Sequence, residues 1–242
     1  MRYWRFVLKT VIVDNRIPQK CADALTDFGF SIIRLPSFSA LPQPVSAHPD
    51  MLLFFAKDTV LCHREYAEIA AREIEQISAA GYRISVSDEK ISDSYPEDIL
   101  FNALSLGGKI YCKADSVSGL IIDFARENGI EIRNVKQGYA KCSVCAVSDN
   151  AAITSDTGLC KAMREDGVDV LLISAGSISL SGYDTGFIGG CSGSDGERIY
   201  FSGNIALHPN GKAIAEFCEK HSKKAVSLSA EPLYDVGNMF FI

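Results

Sequence analysis

The sequence predicts an α/β protein built as a closed ring of five strand–strand–helix–strand units, and three observations predict it. Apolar runs that open a hairpin begin near residues 51, 99, 142, 187 and 238, a repeat of 43 to 51 residues. A steady spacing of that size signals a repeat architecture. Behind each of the first four runs comes a turn, a second strand, an amphipathic helix and a third strand. The two ends hold complementary fragments, a strand, helix and strand at the amino end and a lone entry strand at the carboxyl end. Pairing residues 238–242 with 10–13 would complete the one remaining unit and remove exposed sheet edges. An open α/β sheet is the alternative. With 242 residues the chain is long enough for one sizeable core, and a single domain over 1–242 is expected.

The elements follow in order. Thr10-Val11-Ile12-Val13 is β-branched and reads as a strand. Pro18 opens a helix through Cys21, Leu25 and Phe28, which Gly29 ends, and 30–35 is a strand. The next unit places strands at 51–55 and 59–62 around Lys57-Asp58. A long helix then runs from Arg64 to Ala80, with Tyr66, Ile69, Ala70, Ile74 and Ile77 on one stripe, before a strand at 82–86. The third has strands 99–106 and 109–112 around Gly107-Gly108, helix 116–128 and strand 130–135. The fourth has strands 142–147 and 152–155, helix 158–166 and strand 168–173. The fifth has strands 187–191 and 198–202, helix 211–221 and strand 225–228.

Composition narrows the function. A hydrophobic share of 47% with 22% charged residues is that of a globular chain and argues against disorder. A net charge of −6 argues against nucleic acid, whose phosphates call for a basic face. The apolar run of residues 1–14 is broken by Arg5 and Lys9 and is too short for a membrane span; it reads as part of the first strand. Eight cysteines at scattered spacings without an export signal point to reduced thiols in a cytoplasm.

Chemistry gathers at the unit entrances. Ala47-His48-Pro49-Asp50 leads directly into the run at 51, and on a strand His48 and Asp50 would share a face. The plainer reading is a loop exit and a solvated cap. Gln137-Gly138-Tyr139-Ala140-Lys141-Cys142-Ser143 opens the unit at 142. Tyr183-Asp184-Thr185-Gly186-Phe187 opens that at 187, and Leu233-Tyr234-Asp235-Val236-Gly237-Asn238 the last. Taken singly, Cys142 reads first as a small core residue, and Asp184 and Asp235 as turn residues beside glycine. Cys142 and Cys145 resemble half a zinc site but have no second pair, and Cys218 with His221 reads as helix packing. The glycine-bearing stretch 182–196 lacks the lysine and the strand-to-helix setting of a phosphate loop. Neither a metal nor a cofactor is expected.

As a repeat pattern covering nearly the whole chain, the ring of five such units resembles the pentein superfamily, the guanidino-group-modifying enzymes. That resemblance implies a His-x-Asp unit, a glycine loop followed by a nucleophilic Cys, an Asp-bearing stretch and a Glu-x-Gly-Asp-like stretch. Here they match His48 and Asp50, Cys142 after Gly138, Asp184, and Asp235 with Asn238, in the family's cyclic order once the unit at 99 is skipped. The chain starts at a different unit, which resembles a circular permutation. Asp235 replaces a Glu and Asn238 an Asp. The resemblance implies Cys142, His48 and Asp50 as catalytic residues, with Asp184, Asp235 and Asn238 holding a small cationic guanidino or amidino compound. Carboxylates would hold the planar cation, a Cys142 thiolate would attack its central carbon, and His48 would move protons. The reaction would be hydrolysis, deimination or amidino transfer. The alternative from another class is a pentein without chemistry that acts as a binding or ribosome anti-association protein.

Overall fold

The computed structural model describes residues 9–242, so the reading of residues 1–8 as part of a strand lies outside the described residues. β1 (Thr10–Asp14), α1 (Gln19–Asp27) and β2 (Ser31–Leu35) come first. The next unit holds a short helix α2 (Pro49–Leu52), β3 (Leu53–Ala56), β4 (Thr59–His63), α3 (Arg64–Ile69), α4 (Ala71–Ala79) and β5 (Arg83–Ser87). It is followed by β6 (Leu104–Leu106), β7 (Lys109–Cys112), α5 (Gly119–Glu127) and β8 (Glu131–Asn134). Then come β9 (Val144–Ser148), β10 (Ala151–Thr154), α6 (Thr157–Glu165) and β11 (Asp169–Leu172). The last full unit is β12 (Ser192–Ser194), β13 (Arg198–Phe201), α7 (Gly211–Lys220) and β14 (Lys224–Ser227), and β15 (Phe240–Phe241) ends the chain.

These strands make five three-stranded sheets, and in each the middle strand runs antiparallel to the entry strand and parallel to the exit strand. The fifth sheet is β15-β1-β2. Val11 pairs with Phe241 and Ile12 with Phe240, so the termini are stitched into one unit as the sequence predicts. Periodicity locates the helices well, and Gly29, Gly81, Gly129 and Gly167 follow their helices at positive φ.

Packing closes the ring independently of that stitch, because each unit's helix buries its apolar stripe against the preceding unit. Tyr66 and Ile77 pack with Ile12 and Leu35, and Ile121 and Phe124 with Phe54 and Leu61. Leu159 and Met163 pack with Leu104 and Tyr111, Ile214 and Phe217 with Cys145 and Ile153, and Leu25 with Tyr200. The five clusters run once around the molecule and return to their start.

Two expectations need correction. The helix read over 64–80 breaks at Ala70 (φ −96°, ψ 28°), and Ile69 is swung out of the apolar stripe to 48% exposure. The entry strands begin later than the apolar runs do. In four units the first residues of the run form a helical turn, closed by Met51 N–H to His48 O, Asn102 N–H to Ile99 O, Ser143 N–H to Tyr139 O and Cys191 N–H to Phe187 O. Apolar residues report burial, and a buried turn satisfies that as well as a strand.

Those turns meet at the centre of the ring and are linked in a cycle of hydrogen bonds. Asp50 N–H donates to Gly237 O (3.0 Å), and Asn102 Nδ2 to Asp50 O (3.0 Å). Lys141 N–H donates to Asn102 Oδ1 (2.8 Å), Gly190 N–H to Cys142 O (2.9 Å) and Asn238 N–H back to Gly190 O (2.8 Å). Every unit takes part, and among these five links only Asn102 contributes through its side chain.

Candidate active site

Cys142 sits in the turn before β9 and is 4% exposed. Asn102 Nδ2 donates to its Sγ at 2.9 Å, while Asn102 Oδ1 accepts from the backbone N–H of Lys141 and, at 3.4 Å, of Cys142. One amide thus holds both the backbone and the sulfur of the candidate nucleophile. Sequence reasoning missed Asn102 because its unit was passed over as empty. The signal was positional, since Asn102, Cys142 and Asn238 each stand two residues before an entry strand.

His48 and Asp50 do not share a strand face. His48 caps α2 and Asp50 lies in its first turn, and residues two apart on a helix point to different sides. Asp50 turns toward Cys142 and Lys141. It is fully buried, and among the described residues neither carboxylate oxygen has a partner at hydrogen-bonding geometry, although the thiol lies close. Burial pushes its pKa from the ordinary 3.8 up to about 6, against the pull of the Cys142 thiol and the Lys141 charge.

His48 turns instead toward two other carboxylates. Its Nδ1 lies 3.8 Å from Asp235 Oδ1 and its Nε2 3.8 Å from Asp14 Oδ2, both longer than a hydrogen bond. Burial lowers its pKa, Asp235 and Asp14 oppose that, and Arg16 adds to it. Arg16 grips Asp14 in bidentate fashion, Nε to Oδ1 at 2.9 Å and Nη2 to Oδ2 at 2.6 Å, which takes up much of that carboxylate's charge. Asp14 and Arg16 were not singled out in the sequence. Only the ring, which brings β1 beside α2, places them here.

Asp235 is held by backbone amides, accepting from Phe187 N–H at 2.8 Å and Gly237 N–H at 2.9 Å. Burial raises its pKa to about 6, countered by His48 and reinforced by Asp50. Two glycines let this packing form. A Cβ on Gly190 would strike the Asp235 carboxylate. One on Gly237, whose φ is +71°, would strike the His48 side chain.

Cys142, His48 and Asp235 together line a cavity of about 120 Å³, walled also by Met51, Tyr139 and Phe187. That space admits a planar head of a few heavy atoms such as a guanidinium. His48 and Asp235 also wall a second cavity of about 190 Å³ that contains Asp14, Arg16 and Tyr234. The thiol pKa stands well above its usual value, through burial first and then the charges of Asp50 and Asp235. As it stands the site therefore holds a neutral thiol, and a bound cation would push it toward thiolate.

Two predicted ligand residues fall outside the cluster. Asp184 is exposed, while its neighbours Tyr183 and Thr185 reach the cavity; the turn points the carboxylate outward. Asn238 is buried on the other side of the ring centre, at φ +73°, where its Nδ2 donates to Gly189 O at 2.9 Å. It ties the belt of turns together. Cys145 packs with α7, and His221 bonds Asp169 at 2.8 Å, so neither approaches Cys142. Among the described residues no three His, Cys, Asp or Glu side chains are grouped to hold a metal, and no helix is long and apolar enough to cross a membrane.

Solved structures share this architecture. A dimethylarginine dimethylaminohydrolase from Pseudomonas aeruginosa, complexed with citrulline, superposes with a TM-score of 0.54 at 12% identity, covering 93% of both chains. An inosamine-phosphate amidinotransferase from Streptomyces griseus gives 0.54 at 13% identity, over 92% of this chain and 88% of that one. The N-terminal domain of a cyanobacterial arginine dihydrolase, bound to product, gives 0.55 at 9% identity over 90% of each. At these identities the likeness is one of fold, and the fold is the pentein ring. No curated protein matches the sequence significantly. Residues 12–240 match the model of a family of unknown function, DUF6873, and the chain belongs to that family.

Proposed function

We propose that the chain is a cysteine-dependent enzyme that attacks the central carbon of a small guanidino or amidino compound. The observation that carries this is a buried thiol, an imidazole and an amide-held carboxylate lining one cavity with room for a guanidinium, with a second buried carboxylate beside the thiol that has no hydrogen-bond partner among the described residues. Asp235 and Asp50 accept the N–H groups of the cation. The cation's charge offsets theirs and lowers the thiol pKa. The thiol proton passes to His48, and the thiolate forms a C–S bond to the central carbon. His48 returns that proton to the departing amine as the C–N bond breaks, leaving a thiouronium adduct on Cys142. A water that gives a proton to His48 then adds to the same carbon and releases the thiol; an amine in place of water makes the reaction an amidino transfer. The relatives in fold named above are a hydrolase, an amidinotransferase and a dihydrolase, which agrees with this class.

The test is intact-mass spectrometry after incubation with a haloacetamidine, comparing the wild type with Cys142→Ser. One adduct, lost in the variant and blocked by a guanidino compound, is expected. Slow labelling spread over several cysteines and unchanged in Cys142→Ser would remove the enzymatic reading and leave the ring as a binding scaffold.

A further inference from the structure

The cavity over Cys142 opens at an aromatic mouth. Tyr183 lines the cavity and is 45% exposed, so it marks the way out. Tyr139 packs against Phe187 with ring centroids 6.1 Å apart and against Tyr95, itself half exposed, at 5.8 Å. Behind these rings lies Asp98, 2% exposed. Its Oδ2 accepts from the Tyr139 hydroxyl at 2.6 Å, while its Oδ1 is buried with no partner among the described residues. Its charge is felt at both Tyr139 and Tyr183.

Among the described residues, none that lines the cavity carries a fixed positive charge. Arg16 lines the other cavity and is spent on Asp14. Lys141 lies over Phe240 and lines a third space on the other side of Cys142. A carboxylate at the far end of a substrate would therefore meet aromatic faces and a buried negative charge. An ammonium would meet aromatic rings that attract it and a buried carboxylate of which the Tyr139 hydroxyl satisfies only Oδ2.

We propose that Tyr139, Tyr183 and Phe187, backed by Asp98, form a distal subsite for an ammonium group, so that the substrate is a guanidino compound bearing an amine and no carboxylate at its far end. This rests on the guanidino reading of the head site and adds the identity of the tail.

The experiment measures protection of Cys142 from haloacetamidine labelling by four compounds. Methylguanidine has the head alone, butylguanidine an apolar tail, agmatine an amine tail and guanidinobutanoate a carboxylate tail. Agmatine is expected to protect at a concentration roughly threefold to thirtyfold below butylguanidine, and guanidinobutanoate to be the weakest of the tailed compounds. In Asp98→Asn, agmatine falls to the level of butylguanidine. The subsite is overturned if guanidinobutanoate matches agmatine in the wild type, or if the agmatine margin persists in a folded Asp98→Asn. The wild-type ranking decides by itself should that variant not fold. Protection by methylguanidine without an amine preference removes the subsite and leaves the head site standing. Failure of all four removes both.

Discussion

The buried, unpartnered carboxylate of Asp50 makes a prediction that stability measurements can check without knowledge of any substrate. Its folded-state pKa of about 6 lies above the ordinary 3.8. A raised value means that its stabilising contribution is complete below the unfolded value and is lost as pH rises through about 6. At 1.36 kcal/mol per pH unit, the interval corresponds to about 3 kcal/mol of unfavourable charge burial above pH 7. Asp50→Asn has no charge to bury. Relative to wild type, its unfolding free energy should therefore rise by about 3 kcal/mol between pH 3 and pH 8. Urea is the denaturant to use, since guanidinium is itself a candidate ligand. The same variant should make Cys142 react faster with neutral iodoacetamide at pH 8, because the Asp50 charge helps hold the thiol pKa up. A stability difference constant across pH, together with unchanged alkylation, would refute the account of Asp50 as a buried charge awaiting a cation.

Further tests address the groups that hold the site. Asn102→Ala removes the donor to Cys142 Sγ and the acceptor for the Lys141 and Cys142 amides. It should cost about 1–3 kcal/mol in urea melts and move the pH midpoint of Cys142 alkylation upward, the second effect being one that lost packing alone would not produce. Gly237→Ala places a methyl against His48 at a backbone φ of +71°. It should lower stability by at least about 2 kcal/mol and slow labelling at Cys142, readable by thermal melting and mass spectrometry.

Much of the architecture was legible because it is written in periodicities. The helical stripes, the glycines that stop four helices and the complementary terminal fragments all report features that local sequence determines, and the stitched ring follows from them. The entry strands were misread because Met51, Leu52, Ile99 and Phe101 are apolar for burial in turns, not for pairing in strands. The site was legible in part. Cys142, His48 and Asp235 reach one cavity, whereas Asp184 faces solvent and Asn238 serves the belt. A motif can place a residue at a unit entrance. It cannot say which way a turn of a few residues will aim it. Asp14 and Arg16 belong to the unit completed by the termini, and no local signal ties them to His48.

The cycle of hydrogen bonds at the ring centre has a bearing on how the protein is made. Its members come from every unit, and the last to be synthesised, Gly237 and Asn238, bind the turns that carry Asp50 and Gly190. A ribosome delivers His48 early, but Asp235, its partner, emerges only after all four full units have been translated. Until then β1 presents an unpaired edge, and the thiol of Cys142 lacks the finished enclosure that keeps it protonated. Nascent chains should therefore carry an open edge and an accessible cysteine for most of their synthesis. Closure then waits for residues 237–241 to reach β1 and the turn at Asp50, a long-range step of the kind that makes folding slow.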